Sequence, residues 1–223
     1  KPGGFWANTG GNIVEGFQII LSKPHVSRIV TAKALWAVFG GGLVYMLVLI
    51  GDEIGVGDLA AGIGILFAAR GLGTGLGPIF ARYVFKNRNL WPFLLGSLVS
   101  GCGIAYVVIG FLEWSPWIAV IVVLGHASSA INWVLSTVLL QERSEDEWRG
   151  RLFSTDFLLM TTFNGLSTLA ASLMLEYTEI TLREGIQLFA FLQVLSGIIW
   201  VVLMLPKERR YLKETQESIG INP

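Results

Sequence analysis

The sequence predicts an all-α, polytopic membrane protein with six transmembrane helices, and three observations predict it. Hydrophobic residues fill 53% of the 223 positions and charged residues only 14%, where a soluble domain carries about a quarter charged. Mean hydropathy is +0.62. Six apolar runs each reach the roughly 20 residues that a hydrocarbon core about 30 Å thick requires. The apolar content excludes a disordered chain, and a formal net charge of zero argues against a nucleic-acid binder. The runs are apolar on every side and do not alternate, which argues against a β-barrel.

The elements follow in order. Asn12 and Glu15 have capping-box spacing. Ile13, Phe17, Ile20 and Leu21 then share one helical face until Pro24 ends the pattern. Residues 12–22 are therefore expected to form a short helix on the cytoplasmic membrane surface, inside a linker covering residues 1–28. The six spans are expected at residues 29–50, 59–80, 90–112, 117–140, 152–175 and 185–205, a single transmembrane bundle over 29–205. Residues 206–223 are polar and mixed in charge, and are expected to leave the bundle as a short cytoplasmic helix or a frayed end.

The bases alternate by side. Of the sixteen Lys and Arg residues, fourteen fall on one side when Lys1, Lys23, Arg28 and Lys33 are placed with the N-terminal flank. Only Arg183 falls on the other side, and Arg70 lies within the second span. Positive-inside bias then puts both termini in the cytoplasm, with the bundle integral to the plasma (inner) membrane. The chain opens at Lys1 and lacks a basic start followed by a short apolar core. No signal peptide is expected, and a fragment or one half of something longer is left open.

Arg70 is the sharpest functional signal. It lies 11 residues into the second span, about 16 Å deep at the helical rise. A cation near the midplane costs at least about 2.5–3.5 kcal/mol on insertion scales and must face a partner or a wet cavity. It binds an anionic substrate or relays charge, or else it is a structural arginine satisfied by neighbouring carbonyls. The same span carries Ala69, Gly73 and Gly77 on one stripe, which suits close helix packing with bending at Pro78. It does not suit a nucleotide loop, because Leu76 occupies the sixth position of the dinucleotide fingerprint and no Walker lysine follows.

The fourth span brings His126, Ala130, Trp133 and Thr137 to one face, with Ser129, Asn132 and Ser136 beside them. His126 is either a proton-exchanging group or a neutral hydrogen-bonder between helices. In the fifth span Asp156 lies only about 6 Å from the expected cytoplasmic start, which suits a gate or a helix-end contact, whereas Asn164 lies about 18 Å in and suits contact with a solute. Gln193 in the sixth span equally suits helix adhesion. Cys102 is the single cysteine, and His25 and His126 stand far apart. No metal site, cofactor or catalytic constellation is expected, and the chain is not expected to be an enzyme.

Three segments carry a resemblance: Glu15-Gly16-Phe17 through Lys23-Pro24-His25-Val26, Phe67-Ala68-Ala69-Arg70-Gly71-Leu72-Gly73 through Gly77-Pro78, and Gln141-Glu142-Arg143 through Arg149-Gly150-Arg151-Leu152-Phe153-Ser154. Their order resembles the C-terminal six-helix half of a major facilitator superfamily transporter, in the group containing siderophore and macrolide exporters. In the loop after the second span, Gly77, Arg82 and Lys86 fit the family's cytoplasmic signature, while Ala81 replaces its acid and Val84 its second glycine. The resemblance implies half of a twelve-helix fold built from two inverted three-helix repeats. It implies proton-coupled export of small amphipathic or drug-like solutes by alternating access, as in an antiporter. Partners would be the lipid bilayer, the solute, and a missing N-terminal half or a second six-span chain. The first, second, fourth and fifth spans would line a cavity, with Arg70, His126, Asn132, Trp133 and Asn164 as its candidates. Arg82, Lys86 and Asp156 are candidates for gating, Asp156 through a basic residue of the missing half. The alternative is a noncatalytic six-span scaffold or assembly protein.

Overall fold

Local chemistry sets where each helix starts and stops in the computed structural model, which describes residues 5–218. Pro24 separates α1 (Phe5–Ser22) from α2 (Pro24–Glu53), because proline has no N–H to give the preceding turn but fits the first turn of a new helix. Gly55 and Gly57 take positive φ values of 73° and 101° in the next connection, a conformation open to glycine at little cost. The Asp58 side chain then accepts the Ala61 N–H at 2.7 Å and caps α3 (Leu59–Val84). Asn87 caps a short 3-10 turn, Arg88–Leu90, that leads into α4 (Trp91–Phe111). The remaining helices are α5 (Ile118–Glu142), α6 (Asp146–Tyr177) and α7 (Leu182–Ser218).

The chain is all-α among the described residues, and six helices, α2 to α7, are long and apolar enough to cross a membrane. Most run past their expected limits toward the base-rich end. α2 begins at Pro24 instead of residue 29, and α6 at Asp146 instead of 152. α7 continues through Pro206 to Ser218, so the expected tail is largely a continuation of the last span. The expected helix at residues 12–22 is part of a longer one that extends back to Phe5. α1 is bound to α6 through Gly16, where a Cβ would stand 1.9 Å from the Thr155 hydroxyl, and through an Arg151–Glu15 ion pair at 3.0 Å.

α2 packs mainly on α6, α3 on α5, and α4 on α7. Exchanging the first three spans for the last three turns the α2–α6 pair into α5–α3 and returns α4–α7 to itself. The same exchange turns α4–α5 into α7–α2, another extensive contact. That is the contact pattern of an internal repeat. The largest exception is α2–α3, which pack together while α5 and α6 barely touch. Glycines allow the closest approaches. A Cβ at Gly73 would lie 2.3 Å from the Val123 carbonyl oxygen, and one at Gly77 would lie 2.7 Å from that of Ala127. The Ala69-Gly73-Gly77 stripe therefore seats α3 on α5, whereas Gly71 and Gly75 face open space.

The apolar core is split. One cluster, including Leu43, Leu47, Ile50, Ile109, Ile118 and Ile186, fills the acid-rich end. Another, including Ile29, Leu95, Leu140, Leu152 and Trp200, fills the base-rich end. The stretch between them is where the gap between α5 and α6 opens.

Candidate functional site

A cavity of about 590 Å³ occupies that gap, walled by α2, α3, α5 and α6. α4 and α7 pack against each other behind it. Arg70, His126, Asn132, Trp133 and Asn164 all line it, so the five residues singled out in the sequence converge although they come from three helices. α2 adds Lys33 and Trp36, α3 adds Thr74 and Pro78, and α6 adds Met160 and Thr161.

Each wall is positioned by a local feature. On α2, Gly41 lets α6 approach until a Cβ would stand 2.2 Å from the Asn164 carbonyl oxygen. The neighbouring Gly42 N–H donates to the Ser167 hydroxyl at 2.9 Å. This contact fixes Asn164 at the cavity. On α3, Pro78 has no N–H for the Thr74 carbonyl, so the helix loses one internal hydrogen bond where it borders the cavity. On α5, His126 is buried and its Nε2 lies 2.9 Å from the Tyr106 hydroxyl of α4. Of the two roles open to His126, this geometry serves adhesion between α4 and α5.

The charges in the site divide into a pair and a singleton. Lys33 Nζ meets Asp156 Oδ2 at 2.7 Å across the α2–α6 interface. These residues are 3% and 5% exposed, so the pair is shielded from solvent. The Lys33 ammonium also lies 4.9 Å from the Trp133 ring. Arg70 has no ion-pair partner among the described residues, its Nε is buried without a hydrogen bond, and its guanidinium faces the Phe67 ring at 5.7 Å.

Two expectations change. Lys33 does not project from the end of the bundle with the other flanking bases: it is buried within it, nine residues into α2, at the cavity wall. Asp156 is not a rim carboxylate beside the arginines of its loop. It lies ten residues into α6, and Lys33 of the same chain holds it, while Arg149 pairs with Asp146 at 2.6 Å and Arg151 with Glu15. A contact between Asp156 and a second unit would have to break the Lys33 pair. Arg82 and Lys86 are exposed at the base-rich end, away from the cavity. There Arg88 makes the tie to α5, pairing with Glu142 and lying 4.2 Å over Trp91.

The base-rich end also holds a buried carboxylate that the sequence did not single out. Glu208 of α7 is fully buried. It accepts hydrogen bonds from both terminal nitrogens of Arg143 at 3.2 and 2.7 Å and pairs with Arg28. Arg143 further donates to the His25 carbonyl at 2.8 Å. α2, α5 and α7 are thereby tied at one point. At the other end Arg183 lies over Trp114 and donates to the carbonyls of Gly110 and Leu112 at 2.9 and 2.7 Å, so the one base on that side caps the end of α4.

No group of metal-binding side chains occurs among the described residues. No family model matches the chain, and no curated protein or solved structure matches it.

Proposed function

We propose that the chain forms one half of a secondary transporter of the major facilitator type, carrying small amphipathic solutes by alternating access against a second six-helix unit. The observation that carries this reading is the cavity. Polar and aromatic groups from four spans converge between two apolar clusters, at a volume within the range of small-molecule sites. The repeat-like helix pairing supports it, since transporters place their solute sites at the junction of such repeats. The exposed apolar faces of α3 and α6, including Leu72, Leu76, Leu166 and Leu169, suit the approach of a second unit. Proton coupling, export, a plasma-membrane setting and cytoplasmic termini belong to the same proposal. They rest on the resemblance and on the distribution of bases. Arg70, without an ion-pair partner among the described residues, favours a transporter over a scaffold, because a charged residue within a membrane span marks a solute or ion pathway by default.

The test is transport by the complete protein in proteoliposomes, with and without an imposed pH gradient. Gradient-dependent movement of an amphipathic solute, impaired by Arg70→Ala at unchanged expression, is the expected result. Solute movement no faster than in protein-free vesicles, or equal losses of activity and expression in the variant, returns the chain to the scaffold class.

A further inference from the structure

The cavity wall is cationic. Lys33 and Arg70 line it, and no aspartate or glutamate does among the described residues. Lys33 is engaged by Asp156 from behind the wall, so its charge is matched. Arg70 is unmatched among the described residues, with a buried Nε–H that has no acceptor. An arginine offers a planar array of N–H groups suited to a carboxylate or phosphate through two parallel hydrogen bonds. Trp36, Trp133 and Met160 share the same cavity and give an apolar body somewhere to pack. The Asn132 side-chain oxygen, also on this wall, is buried without a donor, which suits a hydroxyl or N–H on that body.

We propose that the solute is an amphipathic organic anion, its acidic group held by Arg70 and its apolar part by Trp36, Trp133 and Met160. This rests on the reading of the cavity as a solute site and narrows it to a chemical class. The same excess charge disfavours organic cations. Asp156 acts as a positioning residue that sets the wall's net charge by neutralising Lys33.

The probes are 2-naphthoate and its uncharged counterpart 2-naphthamide, measured by equilibrium dialysis at pH 7 with the complete protein in phosphatidylcholine nanodiscs. Naphthoate should bind at least about tenfold more tightly, the worth of a charge-assisted hydrogen bond. Arg70→Gln should erase that preference. Asp156→Asn leaves Lys33 unmatched and should strengthen naphthoate alone. Because this variant risks misfolding, Lys33→Met with Asp156→Leu removes the pair as a unit and should keep the preference, which then depends on Arg70. A preference that survives Arg70→Gln, or no binding of either probe, overturns the proposal. Equal binding of both probes overturns the anion class while leaving the cavity a solute site. Phosphatidylglycerol added to the discs distinguishes the other source of an anion. Competition with naphthoate would assign Arg70 to a lipid phosphate and sink the solute assignment.

Discussion

Lys33 of α2 and Asp156 of α6 meet at 2.7 Å between two parallel helices, each about a third of the way along its helix. Removing one partner leaves the other charge buried and unmatched, which costs about 3–5 kcal/mol. Replacing both with apolar residues of similar size is often neutral. Lys33→Met or Asp156→Leu alone should therefore lower the melting temperature of the purified protein sharply, and the double replacement should recover most of the loss. Additive losses in the double variant would show that the two residues do not act as a pair.

Glu208 should be far more sensitive than Glu142, although both pair with arginines. Glu208→Gln leaves two arginines facing each other without their carboxylate, and should cost about 3 kcal/mol or more. Glu142→Gln breaks a pair that is about half exposed, where ion pairs contribute about 0–1 kcal/mol. Thermal unfolding of the two variants side by side decides the ranking.

The glycines of α3 should split into two classes. Gly73→Val drives a side chain into the Val123 backbone of α5, an overpacking that costs about 1–3 kcal/mol or more. Gly71→Ala and Gly75→Ala meet no neighbour and should stabilise the helix by up to about 1 kcal/mol. Comparable destabilisation by all three would mean that the exposed glycine face is itself a packing surface.

Membrane orientation is open to direct measurement. In a Cys102-free background, cysteine at position 149 should label from the cytoplasmic side and cysteine at position 52 from the opposite side. Labelling of the Asp52 replacement from the cytoplasm would reverse the proposed topology.

Several features were legible in the sequence because they are anomalies against an apolar background. Arg70, His126, Asn132 and Asn164 stand out as polar groups at mid-span, and the structure brings them to one cavity. The small-residue stripe of α3 was legible from its four-residue spacing. Lys33 was missed because it falls only four residues inside the span expected from residue 29 and so counts with the N-terminal flank. The helix starts at Pro24, and this five-residue difference hides how deep the base lies. Asp156 was misplaced for a similar reason, since the polar first turn of α6 reads as loop. Trp36 and Met160 carry no signal that separates a cavity wall from core. The Tyr106–His126 bond and the buried state of Glu208 depend on which helices become neighbours, and periodicity along a single helix does not contain that information.

The Glu208 junction has a mechanical consequence. α7 has 37 residues, so it extends about 55 Å, well beyond a hydrocarbon core of about 30 Å. Its overhanging part is fastened to α2 and α5 through Arg28 and Arg143. Stiffness is thus unevenly distributed. Three spans are joined at one end like the legs of a trestle, while the last turn of α3, with exposed Arg82, and Lys86 just beyond it are outside the joint. Flexing that widens or narrows the cavity should fall on α3 around Pro78, and backbone amides there should exchange with solvent faster than those flanking Glu208. Load applied to the tip of α7 would reach α2 and α5 together, turning them as one piece.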